Sequence, residues 1–124
     1  MNMSHTIQTN GKITYVTLEG EINAAVFKQI ASTIWDGKDY QHPCELWDFR
    51  ACVAGIGPQD LKELSRFAAG DRGERGYGRI AVVVEKDLHF KLSKIYEQYA
   101  EDLPFEVKAF KDMTAAQGWL EEML

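Results

Sequence analysis

The sequence is poor in the features that staple, anchor or segregate a chain. Cys44 and Cys52 are its two cysteines in 124 residues. Seven residues separate them, one in an apolar segment and the other in what reads as the loop after it, which is not the array of a disulfide-framed secreted domain. Reduced thiols and a cytoplasmic location are expected. No apolar run approaches the ~20 residues that a membrane-crossing helix requires. The opening Met1-Asn2-Met3-Ser4-His5 has neither a basic leader nor an apolar signal core, so secretion and membrane insertion are not expected. Net positive charge is also missing: 19 acidic against 14 basic residues leave a formal charge of −5, which opposes unspecific binding to nucleic-acid phosphates and anionic lipid. His5, His42 and His89 lie far apart, and with the two cysteines they make no paired metal-ligand spacing. Neither a metal nor another cofactor is expected.

What is present suits one domain spanning residues 1–124, with no internal linker, low-complexity tract or repeat. A chain of this size buries roughly two-thirds of the surface its unfolded form exposes, enough for a single core. Ile7 to Thr9 and Ile13 to Leu18 are β-prone and flank Asn10-Gly11, the dipeptide of a tight hairpin turn. Asn23 is placed to cap a helix whose Val26, Phe27, Ile30, Ala31, Ile34 and Trp35 share one face, with Gly37 as its stop. Cys44 to Arg50 follows as a strand, with Leu46 and Asp48 on one side and Trp47 and Phe49 on the other. Pro58 suits the first turn of a second helix, carrying Leu61, Leu64, Phe67 and Ala68.

Ile80 to Val84 is continuously apolar, the pattern of a strand covered on both faces. Asp87 is placed to cap a third helix with Leu88, Leu92, Ile95 and Tyr99 on its core face, ended by Leu103-Pro104. Phe105, Val107 and Ala109 alternate with Glu106 and Lys108, as in an edge strand. Asp112 or Thr114 caps a last helix docked by Ala116, Trp119, Leu120 and Met123. The predicted order is ββαβαβαβα: a mixed α/β sheet with an N-terminal antiparallel hairpin, a mainly parallel remainder and four flanking helices.

Gly20-Glu21-Ile22, Leu46-Trp47-Asp48-Phe49-Arg50, Phe90 to Glu97 and the closing Trp119-Leu120 occur in that order, and together they resemble the SpoIIAA-like family. The resemblance covers essentially the whole chain. It is similar to the STAS domains of anti-sigma-factor antagonists and is often grouped with Sec14-like lipid-binding folds. It implies an interaction or ligand-binding module and no catalytic reaction. In anti-sigma antagonists a serine or threonine near the start of the second helix is a phosphorylation switch. The matching stretch here, Ala51-Cys52-Val53-Ala54-Gly55-Ile56-Gly57-Pro58-Gln59-Asp60, holds no hydroxyl side chain. The resemblance therefore carries over no switch, and Asp60 reads either as a fixed negative charge at that helix start or as its cap.

Several residues are candidates for a ligand or partner site, each beside a structural alternative. Asp48 and Arg50 stand at the carboxyl end of a central strand, where open α/β sheets tend to place ligand crevices, yet an ion pair explains them as well. Lys91 and Lys94 share a helical side that suits an anion or an acidic partner, with Tyr96 and Glu97 nearby where the resemblance is clearest; a solvated helix face is the alternative. His89 and Ser93 are four apart but lack a third residue to orient the histidine. Arg72, Arg75 and Arg79 among Gly73, Gly76 and Gly78 precede a strand, unlike a phosphate loop, which follows one. Trp35 and Phe110 sit at the margins of their apolar faces, and their exposure would favour a homodimer or a protein partner. A carrier of a small apolar or lipid-like ligand is the other function considered, although large and small apolar residues alternate as in an ordinary packed core. An enzyme would need Asp48, Arg50 or Cys52 in a pocket with a perturbed protonation state.

Overall fold

The computed structural model describes residues 4–37, 42–72 and 76–124, with the backbone alone at position 54. Two antiparallel strands open the chain, β1 (Ser4–Asn10) and β2 (Ile13–Ile22). Asn10 pairs with Ile13, and the turn between them needs one left-handed residue, Gly11 at φ 64°. Asn10 stays in the strand, so glycine alone supplies the positive φ, as in a hairpin turn with glycine first.

Helix α1 (Ala24–Trp35) begins where expected, with the Asn23 Oδ1 accepting from the Val26 amide at 2.9 Å. Strand β3 (Cys44–Ala54) is longer than the sequence pattern predicts, and Cys52 belongs to it rather than to a loop. Then come α2 (Pro58–Asp71), β4 (Arg79–Val83), α3 (Asp87–Tyr99), β5 (Glu106–Phe110) and α4 (Met113–Glu121). The order is the expected ββαβαβαβα. Pro58 takes the first position of α2, and the Asp112 carboxylate caps α4 by accepting from the Ala115 amide. Asp87, expected as a cap, lies inside the first turn of α3 and pairs instead with Lys111; the cap position is Lys86.

The strands stand side by side in sequence order, β1-β2-β3-β4-β5, antiparallel between the first two and parallel thereafter. Right-handed crossovers between successive parallel neighbours place α1, α2 and α3 on one face. Val16, Leu18, Trp47 and Ile80 meet the helices there, in a core that also buries Ile30, Ile34, Trp35, Ala68 and Phe105. The opposite face carries α4, with Ala116 and Leu120 on Ile13, Leu46, Ala81 and Val83. β4 contributes to both cores, as its unbroken apolar run requires. Trp35 is 5% exposed and Phe110 is half-buried against Trp119, so neither forms the exposed aromatic surface that their marginal positions suggested.

Helix α3 departs furthest from expectation. None of its residues is fully buried, and Leu88, Ile95 and Tyr99 of the anticipated core stripe face water. Glu97 accepts from the Ala109 amide of β5 at 2.8 Å. That bond holds the helix so that His89, Ser93 and Tyr96, with Leu92, turn toward the sheet.

Candidate functional site

Residues 48–50 form a local device. Between Thr17 and Glu19 of β2, strand β3 advances from Asp48 to Ala51, one residue more than its partner. Such a bulge leaves an amide without a ladder acceptor. Asp48 supplies one: its Oδ1 accepts from the Arg50 amide at 3.0 Å and from Arg50 Nε at 2.9 Å, while Oδ2 accepts from Nη2 at 2.9 Å. Burial pushes the Asp48 carboxyl up, but the bonds from the Arg50 side chain and backbone and its charge outweigh this and hold it below its ordinary value. The pair borders a cleft of about 410 Å³ with Thr17, Glu19 and Glu85. Because the strands run in sequence order, the sheet has no reversal at which a ligand crevice would open beside Asp48 and Arg50. Here the ion-pair reading accounts for every polar atom of Asp48.

Asp60 likewise serves its helix: Oδ2 accepts from the Gly57 amide at 2.9 Å, closing the first turn of α2. Lys94 pairs with Glu97 at 3.1 Å. Lys91 is exposed one turn earlier. The four α3 candidates thus separate: Lys91 stands on the outer side, Lys94 and Glu97 brace the helix, and Tyr96 lines the interior. Ser93 spends its hydroxyl on the His89 carbonyl at 2.8 Å, so it does not engage the imidazole. Arg72 and Arg79 are also structural, Arg72 fully buried and Arg79 donating to the Trp119 carbonyl at 2.7 Å beside Glu122. Gly73 and Arg75 of the same loop lie outside the described residues, and so does most of the stretch before Pro43.

Sequence patterning did not indicate a cavity, yet one of about 130 Å³ lies between the sheet and helices α2 and α3. Phe27, Phe49, Leu61, Leu64, Val82 and Leu92 give it apolar walls, with Cys52, His89, Ser93 and Tyr96 as its polar members. Small-to-large alternation on each strand says nothing of how far a helix stands off the sheet, and α3 carries His89 and Ser93 where a packed core would place larger apolar side chains. Burial, with the Asp48 and Glu19 charges behind it, pushes the Cys52 thiol up to about 11. It stays protonated at neutral pH and is a poor nucleophile. Burial, then the charge of Lys86, holds His89 below 6.5, its ordinary value, so its imidazole is neutral. Burial and the Glu45 charge raise the Tyr96 phenol well above its usual range. Among the described residues, neither the His89 ring nor the Tyr96 hydroxyl has a hydrogen-bond partner.

The outer face of α3 is the second feature. Leu88, Ile95 and Tyr99 are 62%, 38% and 46% exposed. Their spacings of seven and four residues place them in one line along the helix. Lys91 is exposed three residues after Leu88, and Lys86 is exposed at the cap position of the helix. Among the described residues no cluster of ligating side chains could hold a metal, and no helix is long and apolar enough to cross a membrane.

Comparison with known proteins agrees with the geometry. The family described as SpoIIAA-like matches residues 13–121. An uncharacterised protein with a SpoIIAA-like fold from Shewanella loihica superposes with a TM-score of 0.59 at 14% identity, over 95% of this chain and 93% of that one. An anti-sigma factor antagonist from Mycobacterium paratuberculosis gives 0.63 at 17% identity, over 97% and 95%. Among curated proteins none matches the sequence.

Proposed function

The chain belongs to the SpoIIAA-like family, and from that premise we propose that it is a non-enzymatic module that binds a protein partner on the outer face of α3. The carrying observation is the line of Leu88, Ile95 and Tyr99 left in water. Covering a large apolar side chain contributes about 1.5–3 kcal/mol, and a few such residues supply most of the energy of a protein interface. The stripe calls for apolar side chains on the partner, and exposed Lys91, three residues after Leu88, favours a carboxylate beside them. One neighbour in fold is an anti-sigma factor antagonist, a protein whose name describes action on another protein, and this lends support to a protein partner here.

The same reading makes binding constitutive. Residues 51–60 hold no hydroxyl to phosphorylate, Asp60 is engaged with Gly57, and Ser65 further along α2 is buried and donates to the Lys62 carbonyl. Absence of chemistry is supported by the protonated Cys52, the Asp48 carboxylate tied to Arg50, and a His89 that no acid orients.

A photoreactive residue placed at Lys91 in the expressed chain tests the proposal. Cross-links to a second protein are expected in the wild-type background and are expected to vanish in Leu88→Asp/Ile95→Asp, whose thermal stability stays near wild type because both sites are exposed. Cross-links that survive the double variant would remove α3 as the docking face. A second copy is the other occupant: a dimer seen by native mass spectrometry and dissolved by the double variant would replace the heterologous partner with self-association.

A further inference from the structure

We propose that the cavity beneath α3 is a binding site for a small neutral molecule consisting of one apolar ring and a single hydroxyl. The inference is separate from the protein-docking proposal, since it uses the inward face of the same helix and a different set of side chains.

Size sets the first limit. The cavity of about 130 Å³ is slightly smaller than an engineered apolar cavity of about 150 Å³ that stays dry and takes up benzene. A single ring fills it, whereas an extended acyl chain would leave much of its length in water at the open side of the pocket. Charge sets the second. Of the side chains around it, none is a carboxylate, ammonium or guanidinium, so an ionised ligand would enter without a counter-charge at a cost that neutral molecules avoid. The thiol of Cys52 is protonated and the His89 ring uncharged, which keeps the lining neutral.

Polar placement sets the third. The walls are apolar except for two groups with capacity to spare, the neutral imidazole of His89 and the phenol of Tyr96, seven residues and about two helical turns apart on α3. The imidazole carries one donor and one acceptor, and the phenol both donates and accepts. Neither group is shut away from water, and one ligand hydroxyl can take water's place at the imidazole while its ring covers Val82, Leu92 and Val107. The lid suits entry, because α3 buries no residue completely and meets the sheet through β5 at its Glu97 anchor.

The test uses the full chain with methyl-labelled Ile, Leu and Val, titrated with p-cresol, toluene and sodium octanoate. Saturable p-cresol shifts confined to the methyl groups that line the cavity, Leu61, Leu64, Val82, Leu92 and Val107 among them, are expected, with toluene about fivefold weaker for want of one hydrogen bond and octanoate inducing none. In His89→Leu the preference for p-cresol over toluene should fall toward parity. Ser93→Leu, which fills the cavity and strands no partner because Ser93 bonds only its own helix, should abolish the shifts while near-ultraviolet circular dichroism stays native; Ala109→Val narrows the cavity from the sheet side if that variant does not fold. No saturable p-cresol shift, octanoate binding as well as p-cresol, or undiminished binding in the filled variant would each overturn the proposal.

Discussion

Arg72 Nε lies 2.8 Å from Glu45 Oε2, and both side chains are shut away from water. The other Glu45 oxygen accepts from the indoles of Trp35 at 2.8 Å and Trp47 at 3.0 Å. The guanidinium also reaches the carbonyls of Gly76 and Pro43 and lies over the Phe105 ring, its Cζ 4.8 Å from the ring centroid. One buried pair thus joins the end of α2, the start of β3 and the approach to β5.

Removing one partner of a buried ion pair strands the other, at a cost of about 3–5 kcal/mol. Arg72→Met is therefore expected to destabilise by that amount. Glu45→Gln/Arg72→Met should recover part of the loss, because the neutral amide oxygen still accepts from both indoles. Urea unfolding at neutral pH measures both, and a single variant within about 1 kcal/mol of wild type would show that the pair behaves like a surface bridge.

Gly78 is confined by the same corner. A Cβ there would stand 2.2 Å from the Pro43 carbonyl oxygen and 2.5 Å from Arg72 Nη2. The flanking backbone has little freedom to yield, since the Arg79 amide donates to Pro43 and the Glu106 amide to Gly78, each at 2.9 Å. Gly78→Ala is expected to cost about 1–3 kcal/mol through overpacking. Gly70, inside α2 with nothing within 4 Å of an added Cβ, is the control: Gly70→Ala should stabilise by about 0.4–1 kcal/mol. Thermal melts of the two variants should move in opposite directions.

Much of this fold was legible because local rules and global packing agree. Asn23 caps, Pro58 starts a helix, and the apolar run at Ile80 to Val84 lies between two layers. The family resemblance rested on Gly20 to Ile22, Leu46 to Arg50, Phe90 to Glu97 and Trp119-Leu120, and all four lie within the family match over residues 13–121. The candidate site was less legible for particular reasons. The bulge at Asp48 arises when a side chain captures the Arg50 amide, an event that leaves alternation intact on either side. Periodicity chose the most apolar face of α3, but the Glu97 bond to Ala109 turns inward a face one residue further round, about 100° away. The Glu45 network did leave a signal: an acid on the same strand face as Trp47 and Phe49 must have a buried partner. Nothing local pointed to Arg72, 27 residues on.

The neutral His89 imposes a pH dependence. Its folded pKa lies below 6.5 because burial, then Lys86, disfavour the imidazolium. Below that value the unfolded chain binds more protons than the folded one, so its contribution is present above 6.5 and is lost as pH falls toward the folded pKa. Denaturant midpoints between about pH 5 and pH 8 should decline on the acid side, and His89→Gln should flatten that part of the curve. Asp48 acts in a separate window: its depressed pKa gives stability that is present above 3.8 and lost as pH falls through the folded value. An NMR titration placing the His89 midpoint above 6.5 would contradict the assignment.

The two thiols lie in different cores and can report on each separately. Cys44 sits beneath α4, its sulfur 3.6 Å from the Leu120 carbonyl and 3.8 Å from the Met123 sulfur. Cys52 lines the cavity under α3. Burial raises both thiols, Cys52 to about 11, which leaves roughly one ten-thousandth of Cys52 as thiolate at neutral pH. Alkylation by iodoacetamide should therefore be slow at both sites in the native chain and fast at both in denaturant. The rates should nevertheless differ. α4 buries Ala116 and Leu120, whereas α3 buries no residue completely, and an element with few buried contacts opens at lower free-energy cost than the whole fold. Cys52 is expected to label before Cys44 in a timed mass-spectrometric series. Equal rates would mean that α3 opens only with global unfolding, and the lid through which a cavity ligand enters would then be no more mobile than the core.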